Sequence, residues 1–197
     1  KISKKEIDSY IKSGKYPSNT STFYKDIFEI RPGTICEING ENISEHIYYS
    51  LGNIIKNSEE TSDLDYYEKL LERAIEIRLR SDVPISLHFS GGVDSTALLI
   101  KVKEVAGWDY PIGIFNLKYK GFEQLDNEFA KQICDRLKLE LNEVELDPYE
   151  VPELAMELQY FQDEPYGGIP SISMYKLNQI ERDLGYVVTL EGQGGDE

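Results

Sequence analysis

The sequence predicts an α/β fold, in which a parallel β-sheet carries helices on both faces. From residue 85 onward, short apolar runs of strand length alternate with longer segments of helical periodicity, the pattern of a chain that crosses a parallel sheet repeatedly. The first run passes into a helix through Ser90-Gly91-Gly92 without a longer loop. With 197 residues and 40% hydrophobic content, the chain can bury roughly 70% of its unfolded surface.

Residues 1–55 predict a smaller and different arrangement. Ser3 and Glu6 have the spacing of a capping box, so a short helix is expected to begin there and to end at Gly14. Further along, Asn39-Gly40 lies between two alternating runs and indicates a β-hairpin. A lone hairpin is too small to be stable, which suggests that it is the edge of an antiparallel sheet.

A polar stretch at 54–63 is predicted to link this region to the α/β part, which is expected to begin with a helix at 64–79. After the first strand, Val93, Ala97 and Ile100 have the spacing of a helix face that packs on the sheet. We expect a partial chain, because there is no initiator Met and no helix follows the last strand. The predicted strands are 85–89, 112–117, 141–146 and 186–190, and the predicted helices after them are 93–105, 127–137, 151–161 and 172–184.

The formal net charge of −15 argues against nucleic acid as a partner, because an acidic surface repels phosphates. No apolar run approaches the ~18 residues of a membrane-spanning helix, and no apolar segment follows the N-terminal lysines, so neither a membrane partner nor a signal peptide is indicated. Cys36 and Cys134 have no metal-ligand spacing; both are interpreted as structural, and Cys134, on an apolar helical stripe, is predicted to fill a core position. Such cysteines fit a reducing, cytoplasmic compartment. A homo-oligomer is compatible with the sequence.

The segment SGGVDS, from Ser90 to Ser95, has the features of a phosphate-binding loop. A helix N-terminus presents unsatisfied N–H groups and a positive dipole end, and Gly91 and Gly92 let the backbone approach an anion closely. The Walker loop and the dinucleotide fingerprint are excluded, because the segment has no lysine and lacks Gly-x-Gly-x-x-Gly. Asp94 would instead lie beside the anion, which requires a cation such as Mg²⁺ between carboxylate and phosphate.

SGGVDS resembles the pyrophosphate loop of the N-type ATP pyrophosphatases, which include the asparagine, GMP and NAD synthetases. Three segments are similar to the asparagine synthase family in order and spacing, namely SDVPISLHFSGGVDST, FQDEPYGGIPSISMYKL and VVTLEGQGGDE. Upstream, TFYKDIFEIRPGTICEI resembles the last hairpin of that family's glutaminase domain. The resemblance implies an adenine nucleotide alpha hydrolase-like (PP-loop) domain at 56–197, truncated, preceded at 1–55 by a short antiparallel β segment from the end of a glutaminase-like domain and a linker.

The resemblance also implies an ATP-dependent amidotransferase. A carboxylate substrate, aspartate or a similar group, would attack the α-phosphorus of ATP to form an acyl-adenylate, and ammonia from glutamine would displace AMP. Asp94 and Asp196 would hold Mg²⁺, and Glu164, Tyr166 and Gln193 would line the acceptor-substrate pocket. The residues implied to contact the nucleotide are Leu87, Phe89, Ser90, Gly91, Gly92, Val93, Asp94, Ser95, Phe115 and Gly192.

Departures from the family pattern leave alternatives open. Glu191 stands where serine is more usual, so its charge either points away from the phosphates or discourages nucleotide binding. A lysine that the resemblance implies downstream of Asp-Glu is not in this sequence, and His88 is interpreted as a core histidine rather than a catalytic one. One alternative is therefore a degenerate nucleotide-binding or assembly module. Another is a PP-loop tRNA-modifying adenylating enzyme, which would predict basic tracts and a cysteine pair that this sequence does not contain.

Overall fold

The computed structural model describes residues 1–18, 20–57, 63–122 and 125–194. The chain forms two compact units, Lys1–Ser62 and Asp63–Glu197. Within these described ranges, the first unit contains a two-stranded hydrogen-bonded sheet and the second a four-stranded one. Among the described residues, none of the helices combines the length and the apolar character needed to cross a membrane.

The first unit contains helix α1 (Lys4–Ser13), strands β1 (Thr34–Asn39) and β2 (Asn42–Ile47), and helix α2 (Leu51–Asn57). The predicted hairpin is confirmed, because β1 and β2 pair antiparallel with Asn39 opposite Asn42. Gly40 opens the short loop between them at φ +64°, a conformation that glycine adopts without steric cost.

Two expectations for this unit need correction. Ser3 is the N-cap of α1 by its backbone, but its side chain makes no capping hydrogen bond, so the predicted capping box is not formed. The helix does end at Gly14, at φ +67°, whose N–H donates to the Tyr10 carbonyl. The predicted linker at 54–63 is helical in its first part, because α2 extends to Asn57, and 58–62 lie outside the described residues.

The second unit alternates helices and strands, as predicted. Its elements are α3 (Leu64–Arg78), β3 (Ile85–His88), α4 (Val93–Ala106), β4 (Ile112–Tyr119), α5 (Leu125–Leu137), β5 (Asn142–Leu146), α6 (Val151–Gln162), α7 (Ile169–Asp183) and β6 (Val188–Leu190). All strand pairs are parallel and the order is β5-β4-β3-β6, which confirms the α/β class. The order reverses between β3 and β6, and ligands of open α/β sheets bind at such a point.

Successive residues of the central strand β4 enter two different cores. Ile114 shares a cluster with Leu99 of α4 and Cys134 of α5 on one face of the sheet. Its neighbour Phe115 shares a second cluster with Leu177 of α7 on the other face. This alternation follows from the two-residue period of a strand, and it leaves both faces of the sheet covered.

The packing face of α4 differs from the predicted one. Val93 is 86% exposed and Ala97 is also exposed, whereas Ser95, Leu99 and Val102 are buried. The predicted stripe is therefore wrong. Apolar residues occur all round this helix, so their spacing alone is compatible with more than one face, and the docking of the helix on the sheet selects between them.

The two cysteines are expected to differ in reactivity. Cys134 is 1% exposed and burial raises the pKa of its thiol to about 11, whereas Cys36 is half-buried on β1. Because the thiolate is the nucleophile, iodoacetamide at about pH 8 should modify Cys36 at least roughly tenfold faster than Cys134 in the native protein. Mass spectrometry of timed samples measures both rates. Equal rates before urea denaturation would contradict the buried position of Cys134.

Candidate functional site

The loop between β3 and α4 is held by hydrogen bonds among its own residues. Ser90 Oγ lies 3.0 Å from Ser95 Oγ and accepts from the Gly92 N–H at 3.2 Å. Ser95 Oγ donates to the Gly92 carbonyl, also at 3.2 Å. The helix begins directly after Gly92, which has no side chain to cap it. The N–H groups of the first turn of α4 are therefore presented to an anion.

Two glycines allow other backbone segments to close on this loop. Gly91 has φ +86°, and a Cβ added there would lie 2.3 Å from the Asp126 carbonyl oxygen and 2.6 Å from the Ala130 nitrogen of α5. A Cβ added to Gly192, just after β6, would lie 2.9 Å from the backbone nitrogen of Ser95. The segment after β6 thus passes over the N-terminus of α4, and a side chain at 192 would occupy the space in front of its N–H groups.

A cavity of about 680 Å³ opens at this point, where the strand order reverses between β3 and β6. Val93 and Asp94 both expose their side chains there. The structure therefore brings most of the predicted loop together with Gly192 and Gln193, which are distant in sequence. The lining residues are His88, Ser90, Gly92, Val93, Asp94, Ser95, Met174, Glu191, Gly192 and Gln193.

A smaller cavity of about 300 Å³ adjoins the first, since His88, Ser90 and Met174 line both. Phe89 and Phe115, at the carboxyl-end side of β3 and β4, form part of its wall. The Phe89 N–H donates to the Phe115 carbonyl at 2.7 Å, which fixes the backbone at this wall. The two predicted strand-end residues, Phe89 and Phe115, therefore lie beside the larger cavity.

Asn116, which also lines the smaller cavity, is a residue that the sequence did not predict. It is 1% exposed, and its Nδ2 donates to the Phe89 carbonyl at 2.7 Å. Its Oδ1 is buried and has no hydrogen-bond partner among the described residues. A buried acceptor without a partner costs free energy, so the site fits a ligand that brings an N–H group. The available signal was a polar residue inside the apolar run IGIFNL.

Other predicted residues line neither cavity. Leu87 is fully buried in the middle of β3. Glu164 and Tyr166 lie between α6 and α7, and the Tyr166 hydroxyl donates to the Ala155 carbonyl of α6 at 3.2 Å. A contact of Leu87 with adenine and a contact of Glu164 or Tyr166 with an acceptor substrate therefore stay predictions.

The donor set of the larger cavity fits Mg²⁺ that arrives with a phosphate ligand. Asp94 is exposed in the first turn of α4, beside the loop N–H groups. The second predicted ligand, Asp196, lies outside the described residues. In the part of the chain that is described, no three His, Cys, Asp or Glu side chains are grouped to hold a metal unaided. One or two carboxylates with phosphate oxygens and water are the usual ligands of Mg²⁺.

Glu191, the unusual acid of the cavity, is bound to His88. Its Oε1 lies 2.8 Å from His88 Nδ1, and the opposite ring nitrogen, Nε2, lies 2.9 Å from Oε2 of Glu181 on α7. The His88 side chain is 10% exposed and that of Glu181 is 2% exposed. Both ring nitrogens of His88 are therefore engaged, so in this geometry the ring has no free lone pair for a metal or a substrate proton.

Comparison with known proteins agrees with these features. A family model described as Asparagine synthase matches residues 66–197. The chain is 28% identical to a putative glutamine-hydrolyzing asparagine synthetase 2 of Methanocaldococcus jannaschii, over 100% of this chain and 38% of that protein. It is 23% identical to glutamine-hydrolyzing asparagine synthetase 1 of Bacillus subtilis, over 100% of this chain and 30% of that protein. It is also 23% identical to amidase chry2 of Gibberella zeae, over 91% of this chain and 29% of that protein.

The chain therefore spans between 29% and 38% of the length of these three relatives. The family match covers the greater part of the chain, and it contains the loop after β3, both cavities and the segment after β6. On this match, together with the geometry at the end of β3, the chain belongs to the asparagine synthase family.

Proposed function

We propose that this chain binds ATP with Mg²⁺ in the two adjoining cavities, as part of an enzyme that activates a carboxylate as an acyl-adenylate for amide formation. The supporting observation is the approach of Gly192 to the Ser95 nitrogen, which brings the segment after β6 over the N-terminus of α4. Backbone N–H groups can then reach a phosphate chain with no side chain between them.

The phosphates would be bound by the first-turn N–H groups of α4 and by the hydroxyls of Ser90 and Ser95. The adenine would occupy the smaller cavity, beside Phe89 and Phe115. There Asn116 Oδ1 would accept from the exocyclic amine of the base, which gives the buried acceptor its missing partner. Guanine presents a carbonyl oxygen in place of that amine, so this contact favours adenine.

Bound Mg²⁺ would neutralise phosphate charge and make the α-phosphorus more electrophilic. Asp94 would supply a carboxylate to the ion from the first turn of α4. The assignment of Asp196 as a second ligand belongs to the same proposal. The remaining loop residues would orient the phosphates. They would raise the reaction rate by positioning the reacting groups and by placing N–H dipoles next to negative charge.

Replacing Asp94 with asparagine is expected to raise the Mg²⁺ concentration needed for half-maximal ATP binding by about tenfold, since one carboxylate ligand is lost. Calorimetric titration of ATP at a series of Mg²⁺ concentrations measures this. Asp65→Asn is the matched control, because Asp65 is also an exposed acid in the first turn of a helix, α3, and lies away from the cavities. An equal change in both variants would indicate a general effect of charge on helix stability.

In the proposed reaction, a carboxylate oxygen of aspartate or a similar substrate attacks the α-phosphorus, and the bond to the bridging oxygen breaks to release pyrophosphate. Ammonia nitrogen then attacks the acyl carbon, AMP leaves, and the extra proton goes to solvent or a base. Residues 1–55 would be the end of a glutaminase-like domain together with a linker, and that domain would supply the ammonia. Gln193, which lines the larger cavity, would face the acceptor together with Glu164 and Tyr166.

Pyrophosphate exchange tests the proposal directly. With the intact protein, labelled pyrophosphate should enter ATP only when Mg²⁺ and a suitable carboxylate such as aspartate are present. No exchange with any carboxylate tested, in a protein that binds ATP, would remove the acyl-adenylate chemistry. If calorimetry detects no ATP binding by the wild type or by Asp94→Ala, the degenerate-module alternative is favoured. Salt-dependent binding of tRNA would instead favour the tRNA-modifying alternative.

A further inference from the structure

His88 and Glu191 face each other because of the register of the sheet. β3 and β6 pair in parallel with Leu87 opposite Leu190, so the next step in the same register brings His88 beside Glu191. Their side chains meet at 2.8 Å, between Nδ1 and Oε1. The contact therefore follows from the pairing of β3 with β6, and it does not depend on the conformations of two flexible surface side chains.

A buried acid contacts the His88 ring at Nε2, the nitrogen that Glu191 does not contact. Glu181 of α7 is 1% exposed, and its Oε2 lies 2.9 Å from His88 Nε2 and accepts from Thr189 Oγ1 at 3.1 Å. Thr189 Oγ1 in turn lies 2.9 Å from Ser86 Oγ. The two acids thus contact the two ring nitrogens from opposite sides, which fixes the orientation of the ring.

The location of Glu191 makes this contact important for the site. Glu191 lines the larger cavity and directly precedes Gly192, whose backbone lies against the Ser95 nitrogen. Its side chain is 33% exposed, so it has room to turn toward the cavity if it is released. Two negative charges roughly 5–10 Å apart in a partly buried site repel strongly enough to weaken binding about tenfold.

We propose that His88 is a positioning residue that holds the Glu191 carboxylate against the sheet, so that it does not turn toward phosphates bound at α4 and repel them. The inference rests on the proposed nucleotide function of the cavity. His88 acts through Glu191 and not on the substrate, because both ring nitrogens are engaged. Among the described lining residues, Asp94 then remains as the carboxylate available to a metal ion.

A double-mutant cycle tests the proposal, with the dissociation constant of ATP in the presence of Mg²⁺ as the readout. In the intact protein, His88→Ala should weaken ATP binding about tenfold, because it releases the Glu191 carboxylate. Glu191→Ser should bind ATP no more weakly than the wild type. The double variant should recover most of the affinity lost in His88→Ala. His46→Ala, a change of the exposed histidine on β2, is the matched control.

A second measurement does not depend on the stability of His88→Ala, which also removes a partner from buried Glu181. Imidazole nitrogen NMR of the wild type should show that both ring nitrogens of His88 are hydrogen-bonded. In Glu191→Ser the Nδ1 signal should shift because its hydrogen-bond partner is lost, whereas the Nε2 nitrogen should keep its hydrogen bond to Glu181. A His88 spectrum that does not change in Glu191→Ser would overturn the proposal.

The cycle separates this inference from the proposed function. If the wild type binds ATP and His88→Ala weakens binding equally with and without Glu191→Ser, the positioning role is overturned and the nucleotide site stands. If the wild type binds no ATP, the proposed function fails, and the phosphate role of His88 fails with it. Recovery of affinity in the double variant together with the NMR change supports the inference.

Discussion

Replacing Gly91 with alanine is expected to lower the free energy of unfolding by about 3–5 kcal/mol, the largest stability effect anticipated for a single residue of the loop. Gly91 has φ +86°, where a Cβ is strained, and that Cβ would lie 2.3 Å from the Asp126 carbonyl oxygen and 2.6 Å from the Ala130 nitrogen. Both neighbours are backbone atoms of helix α5, so they cannot move aside as a side chain would. Urea denaturation followed by circular dichroism measures the change.

Gly185→Ala is the matched control for this prediction. Gly185 has φ +91°, but a Cβ added there has no heavy atom within 4 Å. The control retains the backbone strain and omits the clash, so it should cost only about 1–2 kcal/mol. An equal loss of stability in the two variants would mean that the close packing of the loop on α5 makes no contribution to stability.

Replacing Gly192 with alanine is expected to weaken ATP binding about 100-fold and to change the free energy of unfolding by less than about 1 kcal/mol. A Cβ at this position would lie 2.9 Å from the Ser95 nitrogen and 3.0 Å from the Asp94 carbonyl carbon. The methyl group would either cover the N–H groups of the first turn or push the segment after β6 away from α4. Either outcome removes the closure that we propose to surround the phosphates.

Titration calorimetry with ATP and Mg²⁺ measures the binding, and urea denaturation measures the stability. Gly167→Ala is a suitable control, because its added Cβ would meet only the Oγ of Ser171, at 3.2 Å, which can rotate away. Undiminished ATP affinity in Gly192→Ala would mean that the segment after β6 takes no part in the nucleotide site. If the loss of ATP affinity matched a loss of folded protein, the substitution would have disrupted the fold and not the nucleotide site itself.

Features that depend on neighbours along the chain could be predicted from the amino-acid pattern. The alternation of apolar runs and helical segments was sufficient to predict the parallel sheet, because strand and helix periods are local properties. Asn39-Gly40 was sufficient for the hairpin, since a tight turn is encoded by the residues that form it. The loop from Ser90 to Ser95 was placed correctly between a strand and a helix for the same reason.

Local sequence patterns predict less where a helix or strand is compatible with more than one packing arrangement. The buried face of α4 was predicted wrongly, because apolar side chains surround that helix and its docking on the sheet decides which of them are covered, leaving Val93 exposed. The orphaned Oδ1 of Asn116 was not predictable either, since its lack of a partner depends on every group that surrounds it in the fold.

Which distant residues meet at the site depends on how the strands pair in the folded sheet. Gly192 reaches the Ser95 nitrogen, and Glu191 reaches His88, because β6 adds to the sheet beside β3 in one particular register. Pairing between strands so far apart in the chain is set by the packing of both sheet faces, and a shift of one residue would turn Glu191 to the opposite face. The loop from Ser90 to Ser95 can thus be recognised in the sequence. The position of the segment after β6 and the contact of Glu191 with His88 follow from the pairing of β6 with β3.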